Sequence, residues 1–497
     1  MKAVLVANRG EIALRVMRTC REMGIATVAV YSEADRDALH VRYADQAVCI
    51  GPPASAQSYL VQEKIIEAAL RTGAEGIHPG YGFLSENAGF ARRVAESGLT
   101  FIGPPIEAIR VMGDKTEARL RMAEVGVPLT PGTKDALSGI DEAREVASAI
   151  GYPVLLKAAA GGGGKGMRVV EREQDLASAL ENAMREAQSA FGDGRVFVEK
   201  YITQPRHIEV QVLGDQHGNL VHLFERECTI QRRHQKVIEE APSPALTPEL
   251  RARMGEAAVQ AAAAVGYYST GTVEFLYDVT GEFYFMEMNT RLQVEHPVTE
   301  WITGLDLVRE QIKVARGESL AFRQEDLRIH GHSMECRVYA EDSRRNFMPD
   351  PGPLVRYREP GGPGVRVDSG VEQGGIIPVH YDPMISKLST WGRTRIEAID
   401  RMQRALGEYD IAGVETTIPF CAFVMQHAGF REGEMSTRFV EREFKPEYLP
   451  APSAEQQEMA ALAAVLLHSR TSRTATPVPS TSGPAEPVSR WSMRRRV

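Results

Sequence analysis

The run Phe285-Met-Glu-Met-Asn-Thr-Arg-Leu-Gln-Val-Glu-His-Pro297 constrains this chain more than any other stretch. It places carboxylates, an Asn, an Arg, a Gln and a His in one strand and the loop after it. A strand built only for a core would not end this way. Upstream, Thr272-Val-Glu-Phe-Leu-Tyr277 reads as a second strand and Asp278-Val-Thr-Gly281 as a turn, so the two runs predict a β-hairpin. Glu287 and Asn289 are two apart and share a face. An even loop puts Glu274 on that face too. A loop of Val279 to Glu282 sets Glu274 directly opposite Glu287, and a loop of Asp278 to Gly281 makes Glu287 its diagonal neighbour. An odd loop sends Glu274 to the other face unless a bulge restores it. In the even register two carboxylates and an amide oxygen converge, a hard-oxygen set suited to Mg²⁺ or Mn²⁺. The alternative is a solvated polar hairpin face.

With 497 residues the chain is long for one domain, and three or so domains are expected. A net charge of −8 does not favour non-specific nucleic-acid binding. The cysteines Cys20, Cys49, Cys228, Cys336 and Cys421 form no CxxC pair, which fits reduced, intracellular thiols. No run is long enough to span a membrane, and the apolar run Ala3–Ala7 is too short for a signal peptide. The expected location is cytoplasmic.

Residues 1–112 alternate strands and helices. Val4–Ala7, a turn at Asn8-Arg-Gly10, a helix over Glu11–Met23 and a strand over Ala26–Tyr31 make a βαβ opening, hence a parallel, doubly wound sheet. No GxGxxG follows the first strand, so a dinucleotide site is not supported. The loop His78-Pro-Gly-Tyr-Gly82 ends a strand, where such sheets bind ligands; a tight turn is the plain alternative. Further on, Pro153–Lys157 is a strand, Ala158-Ala-Ala-Gly-Gly-Gly-Gly-Lys-Gly-Met167 a glycine loop, and Arg168–Val170 the next strand. A strand–loop–strand order without Ser or Thr after the Lys is no Walker A loop, though glycines still let backbone N–H groups approach phosphates. In Pro205–Val212, His207, Glu209 and Gln211 alternate with apolar residues, so one polar face lines something or meets solvent, a solvated face being the commoner case. Cys228–Lys236 is a basic run, either solvated, as such runs usually are, or an anion-binding loop facing the acidic hairpin. Residues from 331 to about 445 are mostly β with a helix over Arg395–Glu408. After Pro450 an Ala-rich helix over Glu455–Leu467 leads into a Ser/Thr/Pro-rich stretch, Thr471–Ser489, expected to be disordered.

Taken together, Asn8-Arg-Gly-Glu-Ile12, His78-Pro-Gly-Tyr-Gly-Phe-Leu-Ser-Glu-Asn87, Met112-Gly-Asp-Lys115, the Gly161–Gly166 loop, Gln231-Arg-Arg-His-Gln-Lys236 and Glu287–His296 resemble biotin carboxylase, the ATP-grasp component of biotin-dependent carboxylases. The resemblance runs in order over about residues 1–445. It implies an α/β and α+β fold. A Rossmann-like N-terminal domain would span 1–112 and an ATP-grasp domain 113–330, with a mobile lid at about 130–203. A mostly β C-terminal domain would span 331–446, and 447–497 would be a largely disordered tail. It further implies that Lys115, Lys157, Gly163 and Gly164 hold ATP phosphates, with Lys165 helping to close the lid. The segment Glu199, Lys200, Tyr201 and Ile202 would hold adenine, His207 the ribose, and Gln231 and His234 would lie by the nucleotide. Glu274, Glu287 and Asn289 would hold Mg²⁺ or Mn²⁺, two ions in number. Lys236, Arg291, Gln293, Val294 and Glu295 would form a bicarbonate site, with Arg337 beside bicarbonate and the biotin ring; Lys236, Arg291, Glu295 and Arg337 would be catalytic.

The implied reaction carboxylates biotin through carboxyphosphate, with Glu295 as general base and phosphate taking the biotin ureido proton. No Met-Lys-Met biotin-attachment site occurs. The carrier and carboxyltransferase are therefore expected on other chains, in an acetyl-CoA, propionyl-CoA or pyruvate carboxylase, with the chain a homodimer. The final acceptor is not encoded.

Overall fold

The computed structural model describes residues 1–133, 136–158, 166–233, 235–450 and 453–473. Two compact units are present, Met1–Phe444 and Lys445–Val497.

The first unit opens on five parallel strands in the order Gln46–Gly51, Ala26–Ser32, Ala3–Val6, Gly76–His78, Thr100–Phe101. Val4, Leu5 and Val6 are all fully buried, because helices cover both faces of a parallel sheet. The helix Gly10–Glu22 buries Ile12, Val16 and Met17. The order reverses at Ala3–Val6, so the turn after that strand meets the loop after Gly76–His78. Asn8 Nδ2 donates to the carbonyls of Pro79 (2.7 Å) and Tyr81 (2.8 Å) and ties the two together. Gly80 sits there at φ +63, where a Cβ would lie 2.9 Å from Asn8 Nδ2.

Eight antiparallel strands form the main sheet, in the order Phe283–Asn289, Ser269–Tyr277, Arg206–Gly214, Leu220–Arg232, Gln235–Ala241, His332–Tyr339, Met384–Gly392, Val365–Ser369. It runs without a break across residue 330, through the pairing of Gln235–Ala241 with His332–Tyr339. One face is apolar. Ile208, Val210, Val212, Val273 and Phe275 pack against the helix Pro248–Ala263, whose buried Ala257, Ala258, Ala261 and Ala262 permit close approach. Thr247 caps this helix and Pro248 starts it. Further along, Met334, Cys336 and Val338 pack with the helix Arg395–Glu408. The opposite face is polar and equally buried: His207, Glu209 and Gln211 are 7, 0 and 0% exposed, so the solvated-face reading of that strand does not hold. The helix His296–Thr303 lies against the polar face and helps exclude water from it.

A smaller antiparallel sheet, Met167–Val170, Val154–Ala158, Val196–Lys200, carries the helices Ile140–Ile150 and Glu173–Phe191 and has its own core of Val154, Leu156, Leu180 and Val198. Its hairpin loop, with Gly163, Gly164 and Lys165, lies outside the described residues, as does His234. In the second unit the helix Ala454–Arg473 runs past its expected end into the start of the Ser/Thr/Pro-rich stretch, whose remainder lies outside the described residues.

Candidate active site

The predicted hairpin forms, but with an odd loop. Tyr277 pairs with Phe283 and Phe275 with Phe285, which leaves five residues, 278–282, between the strands. Neither even register forms; the odd loop with a compensating bulge does. One bulge at Met286 shifts the register and returns Glu274 to a position directly opposite Glu287, with Thr272 opposite Asn289. Met286 is the displaced residue and is 40% exposed.

On the buried face the carboxylates meet cations. Lys236 Nζ donates to Glu209 (2.5 Å), Glu295 (2.7 Å) and Glu274 (2.8 Å). Glu274 also accepts from Asn289 Nδ2 (2.8 Å) and Gln293 Nε2 (2.9 Å), and His207 Nε2 lies 2.9 Å from its second oxygen. Gln231 donates to His207 Nδ1 at 2.9 Å, which leaves the imidazole proton on the nitrogen facing Glu274. Arg337 is held between Glu239 (2.6 Å) and Glu295 (3.0 Å). Arg291 donates to Glu86 (2.9 Å) and to Asn289 Oδ1 (2.8 Å). The Val294 carbonyl accepts from the buried Lys387 (2.7 Å), and that of Gln293 from His296 Nδ1 (2.7 Å), so the loop backbone is fixed from behind.

These contacts set the charges. Burial alone would raise the Glu295 carboxyl, but Lys236, Arg337 and Arg226 together hold it well below the usual range. Glu274 is likewise held low, against burial, by Lys236 and His207. Glu287 goes the other way: burial and the facing Glu274 push it up, with the charge of Lys115 opposing. A cation between Glu274 and Glu287 would relieve that repulsion, so with Asn289 these residues fit a hard divalent ion. Two other groups bring metal-ligating atoms within 4.8 Å, His207/Glu209/Glu274 and Glu209/Cys228/Glu295. Glu209, common to both, is taken up on each of its oxygens by Arg226 and Lys236, and burial keeps the Cys228 thiol protonated.

At the other side of the hairpin, Lys115 starts the helix Lys115–Glu124, capped by Asp114 through the N–H groups of Thr116 and Glu117 (both 2.9 Å). Lys157, on the small sheet, pairs with the buried Glu199, which also meets Arg119 at 3.1 Å. Lys200 donates to the Gly151 carbonyl (2.9 Å), and the Tyr201 hydroxyl accepts from Arg438 (2.5 Å); Ile202 is buried. The basic loop expected at Cys228–Lys236 is instead the end of the strand Leu220–Arg232, a turn at Arg233, and the start of Gln235–Ala241. Arg232 is spent on Glu341 and Arg233 on the Asn346 carbonyl (2.6 Å), so among the described residues of that run Lys236 meets the carboxylates and Gln231 reaches them through His207.

Several residues of the cluster escape sequence reasoning. Arg226, wholly buried, donates to Glu209 (2.5 Å), Gln211 (2.6 Å), Gln293 (2.7 Å), Thr272 and Thr299 (both 3.0 Å). A single Arg in a strand carries no signal of this. Glu209 was visible only as one member of a polar alternation. Glu86 lies inside the His78–Asn87 motif, yet nothing there announces its reach to Arg291.

Comparison with known proteins agrees with this layout. Residues 1–109 match the family described as biotin carboxylase, N-terminal domain; 114–323 match carbamoyl-phosphate synthase L chain, ATP binding domain; 335–442 match biotin carboxylase C-terminal domain. A pyruvate carboxylase subunit of Methanothermobacter thermautotrophicus is 58% identical over 438 residues, 88% of this chain and 89% of that one. Biotin carboxylase 1 of Bacillus subtilis is 55% identical, over 89% of this chain and 98% of its own length. Among solved structures, the biotin carboxylase domain dimer of Hydrogenobacter thermophilus 2-oxoglutarate carboxylase, in complex with MgADP, ADP and bicarbonate, superposes with a TM-score of 0.81 at 52% identity. That match covers 88% of this chain and 97% of the other. Campylobacter jejuni biotin carboxylase in a β-γ-ATP complex gives 0.83 at 50%, covering 89% and 99%. A Rossmann-like sheet, an ATP-grasp centre and a mostly β end, matched in sequence and in fold along one chain, make this protein a member of the biotin carboxylase family.

Proposed function

We propose that this chain carboxylates biotin on a carrier protein with bicarbonate and ATP, giving carboxybiotin, ADP and phosphate. The observation that carries this is the meeting of Lys236 and Arg337 on Glu295, in the loop directly after Glu287 and Asn289. A site for a small anion thus adjoins a site for a metal–nucleotide. The H. thermophilus domain is in complex with MgADP, ADP and bicarbonate, and the C. jejuni biotin carboxylase is in a β-γ-ATP complex.

In this reading Lys115, Lys157 and the glycine loop with Gly163 and Gly164 hold the phosphates, and His207, Gln231, His234 and Glu199–Ile202 hold the nucleoside. Magnesium or manganese on Glu274, Glu287 and Asn289, two ions in all, supplies charge neutralisation at the phosphates. Arg291 offers bicarbonate a planar, charge-assisted fork, and Lys236 and Arg337 turn from Glu295 toward the bound anion. That exchange removes two cations from Glu295 and raises its basicity, so it accepts the bicarbonate proton as oxygen attacks the γ-phosphorus and the bond to ADP breaks. Carboxyphosphate then separates into CO₂ and phosphate, and phosphate takes the ureido proton as the biotin nitrogen attacks CO₂. Arg337 stabilises the ureido oxygen as it gains charge.

In this reading biotin reaches the site on a carrier protein and passes its carboxyl group on to a carboxyltransferase. The homodimer follows the H. thermophilus domain dimer. A cytoplasmic setting suits five unpaired cysteines, and no described helix is long and apolar enough to cross a membrane. The test is ATP cleavage with free biotin as acceptor. Cleavage that needs both bicarbonate and biotin supports the function; bicarbonate-independent cleavage, or none, rejects it.

A further inference from the structure

Behind Arg337 lie two acids that the reaction above does not use. Glu239, on Gln235–Ala241, sits directly opposite Glu335, on His332–Tyr339, and both are 0% exposed. Glu239 Oε1 accepts from Arg337 Nε, the guanidinium that also reaches Glu295. Glu239 Oε2 and both oxygens of Glu335 are buried, with no donor among the described residues. Two ionised carboxylates cannot face each other there without water or a bridging cation. One proton resolves the conflict: a neutral Glu335 donates to Glu239 Oε2 and leaves one negative charge for Arg337.

The geometry points to Glu239 and Glu335 as a pair that shares one proton and acts as a positioning device for Arg337. It rests on the reading of Arg337 as part of the reaction site. The surrounding charges come from every neighbouring element. Lys387 approaches from Met384–Gly392, Glu295 from the loop before His296–Thr303, Lys236 from the strand of Glu239, and Arg337 from the strand of Glu335. Burial pushes Glu335 well up, and Lys387 and Arg337 oppose this without cancelling it. Burial likewise lifts Glu239, to about 7, against Arg337.

When both acids are ionised, the doubled negative charge draws Arg337 away from Glu295 and the substrates. The neutral pair gives the wrong charge in the other direction, since Glu239 then no longer holds the guanidinium. The singly protonated pair is the working form.

The experiment compares wild type, Glu335→Gln, Glu239→Gln and Arg337→Met, each checked for folding by circular dichroism. Activity is bicarbonate-dependent ATP cleavage with free biotin across pH. Glu335→Gln keeps a donor toward Glu239 with nothing left to ionise. It is expected to hold kcat within about twofold of wild type at neutral pH and to lose the alkaline limb of the profile. Glu239→Gln is expected to lower kcat by about tenfold or more, with little change in the KM for ATP. Infrared difference spectra of wild type minus Glu335→Gln should show a protonated-carboxyl C=O band at neutral pH. No such band, or an alkaline limb unchanged in a folded Glu335→Gln enzyme, overturns the proposal. If Arg337→Met retains full activity, the reading of Arg337 fails instead. The infrared band then still decides whether the proton is shared.

Discussion

Lys236 shows how much chemistry one side chain can hold in place. It is the cation common to Glu209, Glu274 and Glu295, and through Glu274 it touches the hairpin while through Glu295 it touches the loop that follows. Replacing it with Met removes the charge but keeps a similar stem. Three buried carboxylates then lose their shared partner, and the anion loses its attractor. Bicarbonate-dependent ATP cleavage is expected to fall on the order of 100-fold or more, measured as ADP release. A K236M enzyme of near wild-type rate would remove Lys236 from the reaction. At this scale the sequence was readable wherever a polar residue sat in a dense motif, as Glu274, Glu287, Arg291 and Glu295 do. It was not readable for Arg226, because an isolated strand Arg looks the same whether it is solvated or encased by five acceptors.

Among the elements, the hairpin Ser269–Asn289 carries the sharpest lesson. Strand periodicity made the meeting of Glu274 with Glu287 conditional on an even loop or, with an odd one, on a bulge; the turn is odd and Met286 absorbs the extra residue. Turn residues such as Asp278-Val-Thr-Gly281 fix where the chain reverses, not how many residues stand between paired positions. Since Met286 acts as a spacer, deleting it yields a regular hairpin that still sets Glu287 opposite Glu274. Binding of Mg–nucleotide, followed by calorimetry, is expected to stay within a few-fold for ΔMet286 and to weaken on the order of 10-fold or more for Glu287→Gln. Loss of binding in a folded ΔMet286 protein would show that the bulge has a role beyond register. Similarly, the alternation of His207, Glu209 and Gln211 was legible as a polar face. That the face is buried depends on His296–Thr303 lying against the sheet, a long-range fact.

In the whole molecule, the eight-stranded sheet joins residues on either side of position 330 into one structure. Local pattern cannot announce this, since the joining pair, Gln235–Ala241 with His332–Tyr339, is far apart in sequence. Glu240 fastens the join: it accepts from Arg395 (2.7 and 2.9 Å) and from His332 (2.7 Å). Burial would raise its carboxyl, but His332 and Arg395 hold it down at about 2, from 4.5. A depressed carboxylate pKa stabilises the fold above the unfolded value, and that contribution is lost as pH falls through about 2. Glu240→Gln is therefore expected to lower stability near pH 7 by on the order of 3 kcal/mol. The deficit should shrink as pH drops from about 4.5 toward about 2, as read by chemical denaturation at stepped pH. A deficit that does not change over that window would contradict the ion-pair account. The central claim, that bicarbonate attacks the γ-phosphate beside Glu295, has its own direct measurement: oxygen-18 bicarbonate supplied with ATP, biotin and Mg²⁺, and mass analysis of the released phosphate. Attack by bicarbonate oxygen predicts one labelled oxygen in each phosphate formed. Unlabelled phosphate, produced at the same rate as carboxybiotin, would contradict it.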